Sequence, residues 1–295
     1  MGYFYSREYL ENLADKVNMK YYPSRLNEMS PMDPYDLMEK LGLEIEWKYL
    51  YPCDDLLGMI FFADNIWPVW DIETRKTGGK PRVEIFRKGT IVINEILTNK
   101  KNAKKERFVC GHEVSHWIKD QRYFNEHPTD LIHACNEEAY KKTYWNNTMS
   151  ELDIIERQTN YLNAAMLMPR NVIIKEFERI SRYKYIPEHP LELKSYMKAY
   201  VKNLADGFGL NYNPVLYRLY DLGVLKRPKW WKDVFIITQN KKNSPAKQVS
   251  KNNKCFSIMI MNNHDLSNQD YIILVFEKQI FQDERRRLYY DKVLF

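Results

Sequence analysis

The chain has 295 residues, 44% of them apolar and 28% charged, enough for about two domains and a substantial core; this excludes a collagenous, low-complexity or wholly disordered polypeptide. Its 45 basic and 39 acidic residues give a net charge of +6, a mildly basic and interspersed surface that does not by itself call for nucleic acid. No apolar run approaches the roughly 18 residues of a membrane span, the N-terminus lacks an apolar signal region, and Cys53, Cys110, Cys135 and Cys255 form no CxxC pair. The expectation is a cytoplasmic protein with reduced thiols and no membrane partner.

Residues 3–20 read as an exposed amphipathic helix. Asp33 and Pro34 then supply an N-cap and a first-turn proline for a short helix that stops at Gly42. Alternating apolar segments follow at 43–47, 57–62, 69–73, 83–86 and 90–94, with TGGKP and KG as turns, and predict a small antiparallel sheet. From Asn102 the pattern becomes helical and continues to about Lys119. A loop or broken helical region covers 120–149, after which Ser150 and Asp153 open a helix that runs to Met168 and stops at Pro169. Further helices are expected over 171–182, 191–206 and from Pro214 to near Gly223. The polar run 239–254 reads as a linker among strand-like segments at 234–238, 256–261 and 271–276.

The sharpest motif is His112-Glu113-Val114-Ser115-His116. On a helix, the four-residue spacing brings both imidazoles to one face, where two neutral rings can hold one zinc ion. Glu113, rotated by about 100 degrees from His112, is placed to serve water as a general base and not to bind the metal. With 6 His and 22 Glu in the chain, such a motif arises by chance roughly 0.01 times. Two solvated histidines on a structural helix remain the bland alternative. Against it, Phe108, Val109, Val114, Trp117 and Ile118 mark a buried helix, and buried histidines need partners.

A catalytic zinc site of this kind takes a third ligand from another helix, and Glu156 stands on the well-capped one. Glu156, Asn160 and Asn163 form a polar stripe at i, i+4 and i+7 on a helix otherwise lined by Leu, Ile, Ala and Met. The stripe either faces the site or is an ordinary solvated face.

Two segments, RFVCGHEVSHWI at 107–118 and ERQTNYLNAAMLMP at 156–169, resemble the paired helices of the ImmA/IrrE metallo-endopeptidases. The resemblance spans roughly residues 33–225 and extends to TIVINE at 90–95 and LGMIFF at 57–62. It implies an α+β, zincin-like metallopeptidase core in which His112, His116 and Glu156 bind Zn2+, Glu113 is the catalytic base and Asn160 supports the site. It also implies a protein substrate, an XRE-type helix-turn-helix repressor whose cleavage relieves repression. Gly111, Ser115, Thr159 and Leu162 depart from the family pattern, but none removes a ligand or the base. Gly111 costs the helix about 1 kcal/mol relative to alanine.

Weaker candidates lie in the insert between the two motifs. His133 and Cys135, with Glu137 and Glu138 nearby, could be ligands but lack a completing pair, and Tyr140, Tyr144 or His133 could stabilise an oxyanion. Residues 201–225 read as helix, glycine turn and helix, with Ala205 and Gly209 in the tight positions and Arg218 as the one base-reading side chain. The domain order expected is an N-terminal helical extension (1–32), the zinc core (33–170), a helical, helix-turn-helix-like segment (171–229) and a small β-rich C-terminal unit (230–295). The rival to a peptidase is a zinc-containing regulator without activity that binds a repressor or DNA through residues 201–225.

Overall fold

The computed structural model describes residues 4–50, 56–127, 132–136, 151–229, 231, 257–260 and 273–276. The expected linker at 239–254, the strand-like segment at 234–238 and the Ser150 cap lie outside them. The described residues form a mixed helical and stranded fold with a small central sheet. Among them, no helix is long and apolar enough to cross a membrane.

Helix α1 (Arg7–Tyr21) begins where the Ser6 side chain accepts a hydrogen bond from the Tyr9 N–H, a standard N-cap. It is less exposed than its sequence suggests: Leu10, Ala14 and Val17 enter the main core, and Glu11 and Asn18 are buried with them. Helix α2 (Pro34–Lys40) is capped by Asp33 and followed by Gly42 at φ 68°, a left-handed turn that favours glycine.

Strands β1 (Glu44–Lys48), β2 (Leu56–Phe61) and β3 (Asn65–Val69) come next. The alternation at 69–73 does not continue as strand, because Asp71 accepts hydrogen bonds from the N–H groups of Glu73 and Thr74 and opens helix α3 (Ile72–Thr77). Capping chemistry overrides the period-two pattern there. Strands β4 (Arg82–Phe86) and β5 (Thr90–Asn94) follow, the latter leading to helix α4 (Ala103–Lys119) and the short helix α5 (Gln121–Glu126). Strand β6 (Ile132–Asn136) crosses what sequence pattern presented as loop.

The sheet order is β1-β5-β2-β6, with β3 and β4 forming a separate hairpin. The sheet is mixed and not antiparallel throughout: β5 inserts between β1 and β2, parallel to the first and antiparallel to the second. Alternation in a short strand specifies its faces but not its neighbour or direction. Ile60, Ile91 and Ile93 face the helices, whereas Met59, Phe61 and Val92 join Trp67, Val69 and Phe86 in a second cluster beneath the hairpin. This two-sided cover explains the nearly unbroken apolar run of β2.

Helix α6 (Glu151–Leu167) lies between α1 and α4 and is buried on nearly every side. Its C-terminus is held by Arg25, whose guanidinium donates to the carbonyls of Met166 and Leu167 at 3.0 and 2.7 Å. Helix α7 (Arg170–Ser181) is followed by an extended stretch in which Leu191 bridges Leu225, so helix α8 starts only at Met197 and runs to Phe208. Gly209, at φ 64°, turns the chain into helix α9 (Tyr212–Asp221). Two helices thus flank a glycine turn in the segment read as helix-turn-helix-like, but Arg218 does not face outward to read bases. It is 0% exposed, and its guanidinium grips both Glu11 oxygens at 2.6 and 2.8 Å. Strands β7 (Ser257–Ile260) and β8 (Ile273–Phe276) pair antiparallel.

Candidate metal centre

Helix α4 carries His112 and His116 one turn apart, and their Nε2 atoms stand 3.0 Å from each other. Helix α6, crossing α4, brings in Glu156, whose Oε2 is 3.2 Å from His112 Nε2 and whose Oε1 is 3.4 Å from His116 Nε2. The close crossing depends on Gly111: a Cβ there would overlap Asn163 Oδ1 on α6. What sequence reading counted as a propensity cost is thus a packing requirement. Asn163 Nδ2 also donates to the Phe108 carbonyl at 2.9 Å, a second tie between the helices. Ser115, a further departure from the family pattern, is buried and donates to the Gly111 carbonyl at 2.7 Å.

The tautomers follow from the outer partners. His112 Nδ1 faces Asn160 Oδ1 at 3.0 Å, and His116 Nδ1 faces the Asp120 carboxylate at 2.7 Å. Both partners are acceptors, so each Nδ1 carries the proton and each Nε2 of a neutral ring turns its lone pair inward. Two lone pairs and a carboxylate converging in a buried space call for a positive charge where they meet, a proton or a metal ion. His116 is accordingly held above the ordinary imidazole range; burial opposes this, and the charge of Glu156 with the hydrogen bonds the ring donates to Asp120 and Glu156 overcomes it.

Three donors on a tetrahedral ion with bonds of about 2.0–2.1 Å stand about 3.3 Å apart. The observed separations of 3.0, 3.2 and 3.4 Å bracket that edge. His112, His116 and Glu156, all buried, therefore form a group that could hold a metal ion.

Glu113 is 0% exposed, and neither of its carboxyl oxygens has a hydrogen-bond partner among the described residues. Burial pushes its pKa up to about 7; the nearby histidines pull it down and Glu156 raises it further. The side chain fits because β2 has a glycine opposite it: a Cβ on Gly58 would come within 2.8 Å of Glu113 Oε1 and of Val109 Cγ1.

Of the residues singled out by sequence, the structure therefore brings together His112, Glu113, His116, Glu156 and Asn160. His133 and Cys135 lie on the edge strand β6, opposite Ile60 and Gly58. Tyr140, Tyr144, Glu137 and Glu138 lie outside the described residues. Sequence reading missed Asp120, although its spacing of four from His116 was a legible signal. It also missed Thr159, whose hydroxyl lies 3.2 Å from both Asp120 Oδ2 and His116 Nδ1. Behind them, Lys119 is buried against Asp120, and Tyr5 closes over it, its backbone clamped by the Gln158 amide.

No family model matches the chain, and no curated protein is significantly similar to it.

Proposed function

We propose that the protein is a zinc-dependent endopeptidase of the ImmA/IrrE kind, acting in the cytoplasm on an XRE-type helix-turn-helix repressor. One observation carries the reading: a buried glutamate with no hydrogen-bond partner among the described residues, Glu113, stands beside three convergent donors whose spacing fits a tetrahedral ion. The class of substrate rests on the resemblance of 107–118 and 156–169 alone. Zinc held by His112, His116 and Glu156 would supply Lewis acidity, polarising a peptide carbonyl and acidifying water.

The chain's own residues supply the rest. His112 and His116 present neutral Nε2 donors because Asn160 and Asp120 hold their outer protons. Glu113 takes the proton of the attacking water and delivers it to the amide nitrogen, so that the new C–O bond forms and the C–N bond breaks without net proton release. An apolar surround that keeps the Glu113 carboxyl near neutrality suits both halves of that transfer. The rival reading of a DNA-binding regulator loses support from the burial of Arg218.

The test is incubation with an XRE-type repressor, read as the appearance of repressor fragments. Wild-type protein should cut, and chelation should abolish cutting. Glu113→Gln should retain zinc yet cut about 10²- to 10⁴-fold more slowly. Zinc-loaded wild type that binds the repressor and leaves it intact would refute the peptidase reading.

A further inference from the structure

His116 is held from behind by a carboxylate whose own charge is already matched. Asp120 Oδ2 accepts from His116 Nδ1 at 2.7 Å and from Thr159 Oγ1 at 3.2 Å, while Oδ1 meets the Lys119 ammonium. The side chains of Lys119 and Asp120 are 0% and 1% exposed. The ammonium also lies 5.7 Å from the centre of the Tyr5 ring, and the Tyr5 hydroxyl donates to the Lys119 carbonyl at 3.3 Å. Burying a lysine and an aspartate carries a desolvation penalty for each ion that their attraction must offset, and a hydrogen bond to His116 alone could be made by a neutral acceptor, as Asn160 does for His112. What sets this pair apart from the other buried ion pairs is that Asp120 also accepts from His116, a residue of the candidate metal centre.

We propose that Lys119 and Asp120 are a charge-matched positioning pair for the metal centre. Asp120 fixes the ring and tautomer of His116, and Lys119 offsets the negative charge that Asp120 would otherwise add beside the ligands. This rests on the reading of His112, His116 and Glu156 as a metal centre. Without Lys119, the carboxylates of Glu156 and Asp120 would both act on the ion unopposed, binding it more tightly and quenching its Lewis acidity. The two residues thus pull metal affinity in opposite directions. A pair that merely filled space would not.

The test is zinc affinity of the full-length, metal-free protein, measured by competition with a chromogenic chelator at one pH. Asp120→Asn should bind zinc 10- to 100-fold more weakly than wild type. Lys119→Met should bind it roughly tenfold more tightly, since an opposing charge is gone. Should Lys119→Met fail to fold, the double variant Lys119→Met with Asp120→Asn leaves no buried ion unmatched, and it should bind zinc more tightly than Asp120→Asn alone. Affinities that fall in both single variants, that stay at the wild-type value, or that drop further in the double variant overturn the proposal. Its failure is separable from that of the metal centre: if wild type binds zinc no better than His116→Ala, the centre itself is wrong, whereas a tight wild type with an unaffected Asp120→Asn refutes only the positioning pair.

Discussion

Helix α6 carries buried polar groups on two of its sides, and the two regions treat them differently. Toward α1 and α9, each charge meets its opposite. Arg157 reaches Asp221 at 2.9 Å, and Glu11 receives Arg218 on both oxygens and the Tyr161 hydroxyl at 2.6 Å. Toward α4, two imidazole lone pairs face a carboxylate, and Glu113 has no hydrogen-bond partner among the described residues. Burial of charge is common to both and so does not mark a functional site. What distinguishes them is that one network pairs opposite charges, whereas the other gathers three atoms that could hold a metal ion beside a carboxyl group with no hydrogen-bond partner among the described residues.

That contrast can be broken at either end. The largest effect belongs to the closed network: Arg218→Met should cost about 3–5 kcal/mol by stranding Glu11 in the core, and adding Glu11→Leu should recover most of it. Denaturant melts of the single and double variants would check this, and a single variant within 1 kcal/mol of wild type would reduce the pair to an incidental contact. For the open region, zinc at about 100 times its dissociation constant should stabilise metal-free protein by about 2.7 kcal/mol, with no such gain in His116→Ala. Thermal melts with and without zinc would show it.

A smaller loss, about 1–3 kcal/mol, is expected for Gly111→Ala, where overpacking against Asn163 outweighs the better helix propensity of alanine. A stabilised Gly111→Ala would show that the two helices can separate freely. The smallest effect is one of pH. Burial opposes ionisation of Glu11, but the Arg218 guanidinium overcomes it and holds the carboxyl below its ordinary value of 4.5. Its contribution is therefore complete above that value and is lost as pH falls through the lowered one. The stability advantage of wild type over the Glu11→Leu, Arg218→Met double variant should accordingly shrink on acidification below about pH 4.5.

Much of the α4 and α6 architecture was legible because it is local. The spacing of His112 and His116, the polar stripe of Glu156, Asn160 and Asn163, and the stop at Pro169 are one-helix properties that need no knowledge of neighbours. What escaped the sequence depends on partners far along the chain. Arg218 looks like a surface reader on its own helix and becomes a core residue only because Glu11 arrives from α1. Direction in the sheet was hidden for the same reason, since β5 enters between β1 and β2. The Asp71 cap was local and readable, and period-two alternation merely concealed it.

The long separations have a consequence for how the molecule assembles. Glu11 and Arg218 are 207 positions apart, and Tyr5 and Gln158 are 153 apart. At roughly 5–20 residues per second, α1 leaves the ribosome about 10–40 s before its guanidinium partner exists. Contacts of such range form late, after the entropy of closing a long loop has been overcome. The clamp of Tyr5 over Lys119 belongs to that class of contact, whereas Asp120 backs His116 from four residues away, so the ligand helices can meet before that outer clamp has closed.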